Sequence, residues 1–109
     1  MRLPLIGPLG RLGRVLVAGR SMEPTLYAGD HLLVRWGAAP RPGQLVVVAW
    51  PDRPLSVKRL AFRDAQGWWV ERDNPAEGTD SWSAGPLPED GVRAVVLCRL
   101  WPWRRPKSG

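Results

Sequence analysis

A chain of 109 residues, 44% hydrophobic and 24% charged, is sized for one small globular domain: too short for two cores, too apolar for a disordered segment. A net charge of +6 and a pI near 11 turn it toward acidic partners, a nucleic acid or an anionic lipid surface, without choosing between them. The single cysteine, Cys98, excludes an intrachain disulfide, and one His with one Cys is not the donor set of a usual zinc site, so no metal or cofactor is expected.

Residues 1–20 hold apolar pieces (Leu3–Ile6, Val15–Ala18) interrupted by Arg2, Arg11, Arg14 and Arg20. A spanning helix needs ~20 mostly apolar residues. The longest uncharged run here, Leu3 to Gly10, is far shorter and contains two Pro and two Gly. No small-residue cleavage site follows a proper apolar region. The expectation is a chain without a transmembrane segment, cytoplasmic or attached to a membrane surface.

Twelve Gly and twelve Pro punctuate short apolar runs, the mark of a mainly β chain with little helix. Strands are expected at Arg14–Ala18, His31–Trp36, Gln44–Trp50 and Val92–Leu100. The continuous apolar run of Gln44–Trp50 implies burial on both faces. Leu55–Arg63 and Trp68–Glu71 read as a hairpin turning through Asp64–Gly67. Ser21–Leu26 is a turn or a single helical turn. Arg72–Pro88 is a long loop rich in Asp, Asn, Gly and Ser, a class that often carries function. Cys98 in the last strand is expected to be a small buried hydrophobe. The whole chain reads as one domain, with its core at about 15–102 and a basic tail at 103–109.

Two residues stand out chemically. Fourteen of the sixteen basic residues are Arg; only Lys58 and Lys107 are Lys. A lysine buried in an apolar setting loses its proton near neutral pH and becomes a general base, which arginine does not do. Lys58 lies in the apolar strand Leu55–Ala61, where a surface lysine beside apolar neighbours is the plainer alternative. Ser21 opens a tight turn after a strand and Gly19, a place that exposes a hydroxyl and aims a backbone N–H at a developing oxyanion. A helix N-cap serine is the plainer alternative there.

Gly19-Arg20-Ser21-Met22-Glu23-Pro24-Thr25-Leu26, followed by Gly29-Asp30 and Leu32-Leu33-Val34, resembles the nucleophile box of type I signal peptidases. Val57-Lys58-Arg59 resembles their general-base box. Asp73-Asn74, Asp80-Ser81 and Gly85-Pro86-Leu87-Pro88 resemble the third. The resemblance runs from about Val15 to Pro102, in the family's order. It implies a compact signal-peptidase-like fold of coiled antiparallel sheets and a Ser–Lys dyad that cuts a leader or signal peptide from a precursor protein. Ser21 would be the nucleophile and Lys58 the base.

Several positions depart from the pattern. Some members carry a hydroxyl residue at the position of Gly19 to line the oxyanion hole; here, as in others, it is Gly, and the Ser21 N–H is the secure donor. Many have Ser at Gly78 to orient the lysine, so Thr79 or Ser56 is expected to substitute, with Gly19 and Met22 flanking the nucleophile. Arg72 replaces a usual Gly and Trp82 a usual Arg. Asp80 is therefore expected to lack its arginine and, with Asp73, Asn74 and Ser81, to be structural.

The short span from Lys58 to Asp73 and the absence of an evident anchor resemble the nickel-type superoxide dismutase maturation proteases. A self-cleaving repressor relative would need a helix-turn-helix and a cleavage segment before Ser21. A weak or inactive peptidase-like binding module is the other alternative. A Ser–His–Asp site using His31 with Asp30 or Asp80 is the weaker catalytic reading. The aromatic and cationic residues Trp101–Lys107 suit a membrane interface better than a nucleic acid, and a solvated tail is the plain reading.

Overall fold

The computed structural model describes residues 11–102; the apolar start of the chain and the basic tail at 103–109 lie outside the described residues. Six antiparallel strands form one sheet in the order β1-β2-β6-β3-β4-β5. They are β1 (Leu12–Leu16), β2 (His31–Trp36), β3 (Leu45–Val48), β4 (Ser56–Asp64), β5 (Gly67–Glu71) and β6 (Val92–Trp101). The strands match the expected runs within a few residues. The last strand returns to the middle of the sheet, between β2 and β3, so the fold closes only when the C-terminal segment is in place.

Side-chain alternation then makes two cores. Val47 of β3, Ala94 of β6 and Val57 of β4 join Val15, Leu32, Val34, Met22 and Leu26 in one cluster. Their neighbours Val46, Val48 and Val95 join Leu60, Val70 and Leu87 in the other. Because successive side chains on a strand point to opposite faces, β3 is covered on both, as its unbroken apolar run demands. The Leu45–Arg59, Val46–Lys58 and Val47–Val57 pairs place Lys58 opposite Val46, on the face of the second cluster.

The long loop after β5 is not wholly irregular. It holds one short helix, α1 (Ser81–Ala84), and then an isolated bridge between Leu87 and Trp68. That bridge brings the backbone so close to Gly67 that a Cβ there would lie 2.0 Å from the Leu87 carbonyl oxygen.

Cys98 is exposed, not buried as expected. Beyond Val96, β6 pairs only with β2, and Leu97, Leu100 and Trp101 are exposed with it. A strand rich in apolar residues has here outrun the core that its first half enters.

Burial separates the leucines energetically. Leu32 is fully buried and Leu97 is 46% exposed. Leu32→Ala should cost about 2–5 kcal/mol in urea unfolding, and Leu97→Ala should stay within about 0.5 kcal/mol of wild type.

Candidate active site

The turn that carries Ser21 is pinned at both ends. Val17 donates to the Asp30 carbonyl and Gly29 donates to the Val17 carbonyl, each at 2.9 Å, which closes residues 18–28 into a loop. Leu26 N donates to Met22 O at 2.9 Å, a single helical turn. Met22 and Leu26 anchor that turn in the first core cluster. Ser21 thus sits on a short polar segment whose two apolar neighbours are locked.

The 72–80 loop grips the same turn from the other side. Asn74 N donates to Ser21 O at 2.8 Å, and Asn74 Nδ2 donates to Arg20 O at 2.8 Å. Asp73 N donates to the Met22 sulfur at 3.4 Å. The Asp73 carboxylate receives a fork from Arg59, Nε at 2.9 Å and Nη2 at 2.7 Å, and the Thr25 hydroxyl at 2.6 Å. The Arg59 bonds hold Asp73 below the usual carboxylate range. Bidentate, charge-assisted pairs of this kind are the strong ones. Arg59 and Thr25 were not singled out in the sequence; an Arg directly after the candidate base was the available signal.

Lys58 is 4% exposed, and its Nζ lies 2.7 Å from Ser21 Oγ. At that distance an ammonium donates to the hydroxyl, and a neutral amine accepts the hydroxyl proton. Burial, the largest influence, pushes Lys58 below its ordinary value; Asp80 opposes this, and the cations Arg53 and Arg72 reinforce it. Desolvation disfavours the charged amine in the direction a general base requires.

Gly78 explains its own departure from the family pattern. Its φ is +82°, and a Cβ there would lie 2.4 Å from the Ser21 Cβ. No side chain fits between this backbone and Ser21. Thr79 and Ser56 line a cleft of about 310 Å³ with Gly19, Ser21 and Lys58, and neither hydroxyl is bonded to Lys58 among the described residues. Among the described residues the Ser21 N–H donates no hydrogen bond. A narrow recess of about 30 Å³ adjoins Ser21, lined by Val15, Val17, Met22, Leu55 and Val57.

Asp80 caps α1 by accepting from Trp82 N at 3.1 Å. The expectation that it lacks an arginine is corrected: Arg72 Nε lies 3.9 Å from its carboxylate. Trp82 instead donates its indole N–H to Glu71 at 2.8 Å. Ser81 Oγ is buried and accepts from Val70 N at 2.8 Å, continuing the edge of β5. His31 bonds Arg14 at 3.2 Å and meets Trp101 edge-on, outside the cleft, and among the described residues no bond joins it to Ser21.

The lowered Lys58 value carries a stability signature. Between it and the ordinary lysine value the unfolded chain binds the extra proton, so stability rises with pH through that window. Lys58→Met removes the burial cost. It should be more stable than wild type at neutral pH, and the gap should narrow as urea unfolding is repeated at pH values rising toward the ordinary lysine value.

Residues 9–86 match the family described as Peptidase S24-like. The chain is also similar to mitochondrial inner membrane protease subunit 1 of Xenopus tropicalis, 29% identical over 114 aligned positions that take in 81% of this chain and 68% of the relative. The human protein of that name is 28% identical, with 83% and 70% covered, and the mouse protein 26%, with 84% and 70%. With Ser21, Lys58, Asp73 and Asp80 all inside one continuous match, the chain belongs to the Peptidase S24-like family of the type I signal peptidase superfamily.

Proposed function

We propose that this chain is a serine endopeptidase that removes an N-terminal leader or signal peptide from a precursor protein. The observation that carries the reading is the 2.7 Å contact between a buried lysine and a serine hydroxyl at the edge of an open cleft. Neutral Lys58 takes the Ser21 proton as Oγ attacks the scissile carbonyl, and the C–O bond forms while the carbonyl electrons move onto oxygen. The Ser21 N–H receives that oxyanion. As the tetrahedral adduct collapses, the C–N bond breaks and Lys58 returns the proton to the leaving amine. A water deprotonated by Lys58 then attacks the acyl carbonyl, the C–Oγ bond breaks, and Lys58 returns the proton to Ser21 Oγ as the acid product leaves.

The recess beside Ser21 supports a size limit on the residue before the cut. It is narrow, about 30 Å³, and its lining is mostly apolar, which supports a small apolar residue there. Among the described residues no helix is long and apolar enough to cross a membrane. Exposed Leu97, Leu100 and Trp101 support attachment to a membrane surface, in keeping with relatives named as inner membrane proteases. The absent hydroxyl at Gly78 is the feature that favours the second reading, a weakly active or inactive binding module.

The test is a panel of leader peptides, a nickel superoxide dismutase precursor among them, incubated with wild type, Ser21→Ala and Lys58→Met. Wild type should cleave after Ala about 10²-fold faster than after Leu. Ser21→Ala should abolish cleavage, and Lys58→Met should cost at least ~10²–10⁴-fold, both with unchanged circular dichroism. Cleavage that survives in a folded Ser21→Ala protein would overturn the mechanism. A folded wild type that binds the leaders without cutting any would favour the binding module.

A further inference from the structure

We propose that Arg72 is a positioning residue, whose one guanidinium ties the Gly78 carbonyl beneath Ser21 and screens Lys58 from the carboxylate of Asp80. This rests on the reading of Lys58 as the base and adds to it what keeps that base neutral. The geometry is specific. Arg72 leaves the end of β5; its Nη1 donates to Gly78 O at 2.5 Å and its Nε lies 3.9 Å from Asp80 Oδ2. Its side chain is 29% exposed, so it is partly withdrawn from water.

Asp80 is 9% exposed. A nearly buried carboxylate close to a lysine favours the ammonium form, the form that does no base catalysis. Asp80 is needed for its cap on α1, so its charge has to be met by another cation. Arg53 also disfavours the Lys58 ammonium, and more strongly than Arg72, but among the described residues only Arg72 is paired with the Asp80 carboxylate itself. Arg53, on the β3–β4 loop, lies beside Asp52 at 3.9 Å on the exposed rim. Arg20 pairs with Glu23 at 3.2 Å and with Glu77 at 3.8 Å. Arg59 is committed to Asp73.

The same side chain steadies the nucleophile. Gly78 sits against Ser21 too closely for any Cβ, so its peptide sets how near the loop comes to Oγ. The Arg72 bond to the Gly78 carbonyl holds that peptide. A lysine at 72 would keep the charge and lose the fork that reaches both acceptors.

With only two lysines in the chain, the side-chain NMR signal of Lys58 is readily separated from that of Lys107. Its titration would be followed in wild type, Arg72→Gln, Arg72→Lys and Arg72→Gln/Asp80→Asn. The Lys58 midpoint should move up in Arg72→Gln and stay near wild type in Arg72→Lys. It should not rise in the double variant, where no carboxylate is left to screen. With a cleavable leader peptide, kcat for Arg72→Gln should fall about threefold to tenfold at neutral pH, recover at alkaline pH and leave KM nearly unchanged. An Arg72→Gln midpoint equal to or below wild type would overturn the proposal, as would the same rise in Arg72→Lys. If Arg72→Gln alone fails to fold, restored folding in the double variant supports the pairing and continued failure refutes it. Loss of all wild-type cleavage would sink the protease reading and leave this titration readable.

Discussion

Everything in the site depends on a lysine held out of water against a serine hydroxyl. The 2.7 Å separation of Nζ and Oγ is short enough for direct proton transfer. An exposed lysine at the same distance would remain charged and would only donate. What the proposed base chemistry needs is burial, and burial comes from the sheet: Lys58 stands near the start of β4, opposite fully buried Val46. The apolar strands that build the second core cluster also lower the affinity of the amine for its proton.

Ser21 is positioned by a different means. Ser21 lies outside any strand, and no ladder fixes it. Its turn is closed at the base by the Val17–Asp30 and Gly29–Val17 bonds, anchored below by Met22, and gripped above by Asp73 and Asn74. Asp73 and Asn74 therefore act on the geometry of the Ser21 turn, while Asp80 and Ser81 hold α1 and the edge of β5. Asp73 is central to this, since one carboxylate joins Thr25 of the nucleophile turn to Arg59 of the base strand. Serine and lysine come from different elements, and this ion pair ties those elements together.

The sequence made the strands legible because their apolar runs are short, bounded by Gly and Pro, and mostly buried. The run at Gln44–Trp50 announced a strand covered on both sides, and β3 is one. Ser21 and Lys58 were legible as a pair through the Ser-Met-x-Pro-Thr-Leu box and the scarcity of lysine. Other features were not, for physical reasons. Strand order depends on pairing between distant segments, and no local pattern says that β6 inserts between β2 and β3. Cys98 was misread because local apolarity does not tell where a strand outruns its core. The Arg72–Asp80 pair was hidden because its partners are eight positions apart in an irregular loop, where no periodicity predicts a contact. The Gly at 78 read as a missing hydroxyl, whereas in three dimensions it is the space that Ser21 occupies.

The most direct measurement is to trap the acyl-enzyme. A short leader peptide ending in Ala, supplied as an activated ester, would be mixed with the protein, quenched within seconds and mapped by mass spectrometry. The account predicts an acyl adduct on Ser21, absent in Ser21→Ala and formed far more slowly in Lys58→Met. An adduct on another residue, or ester turnover unchanged in a folded Ser21→Ala protein, would contradict it.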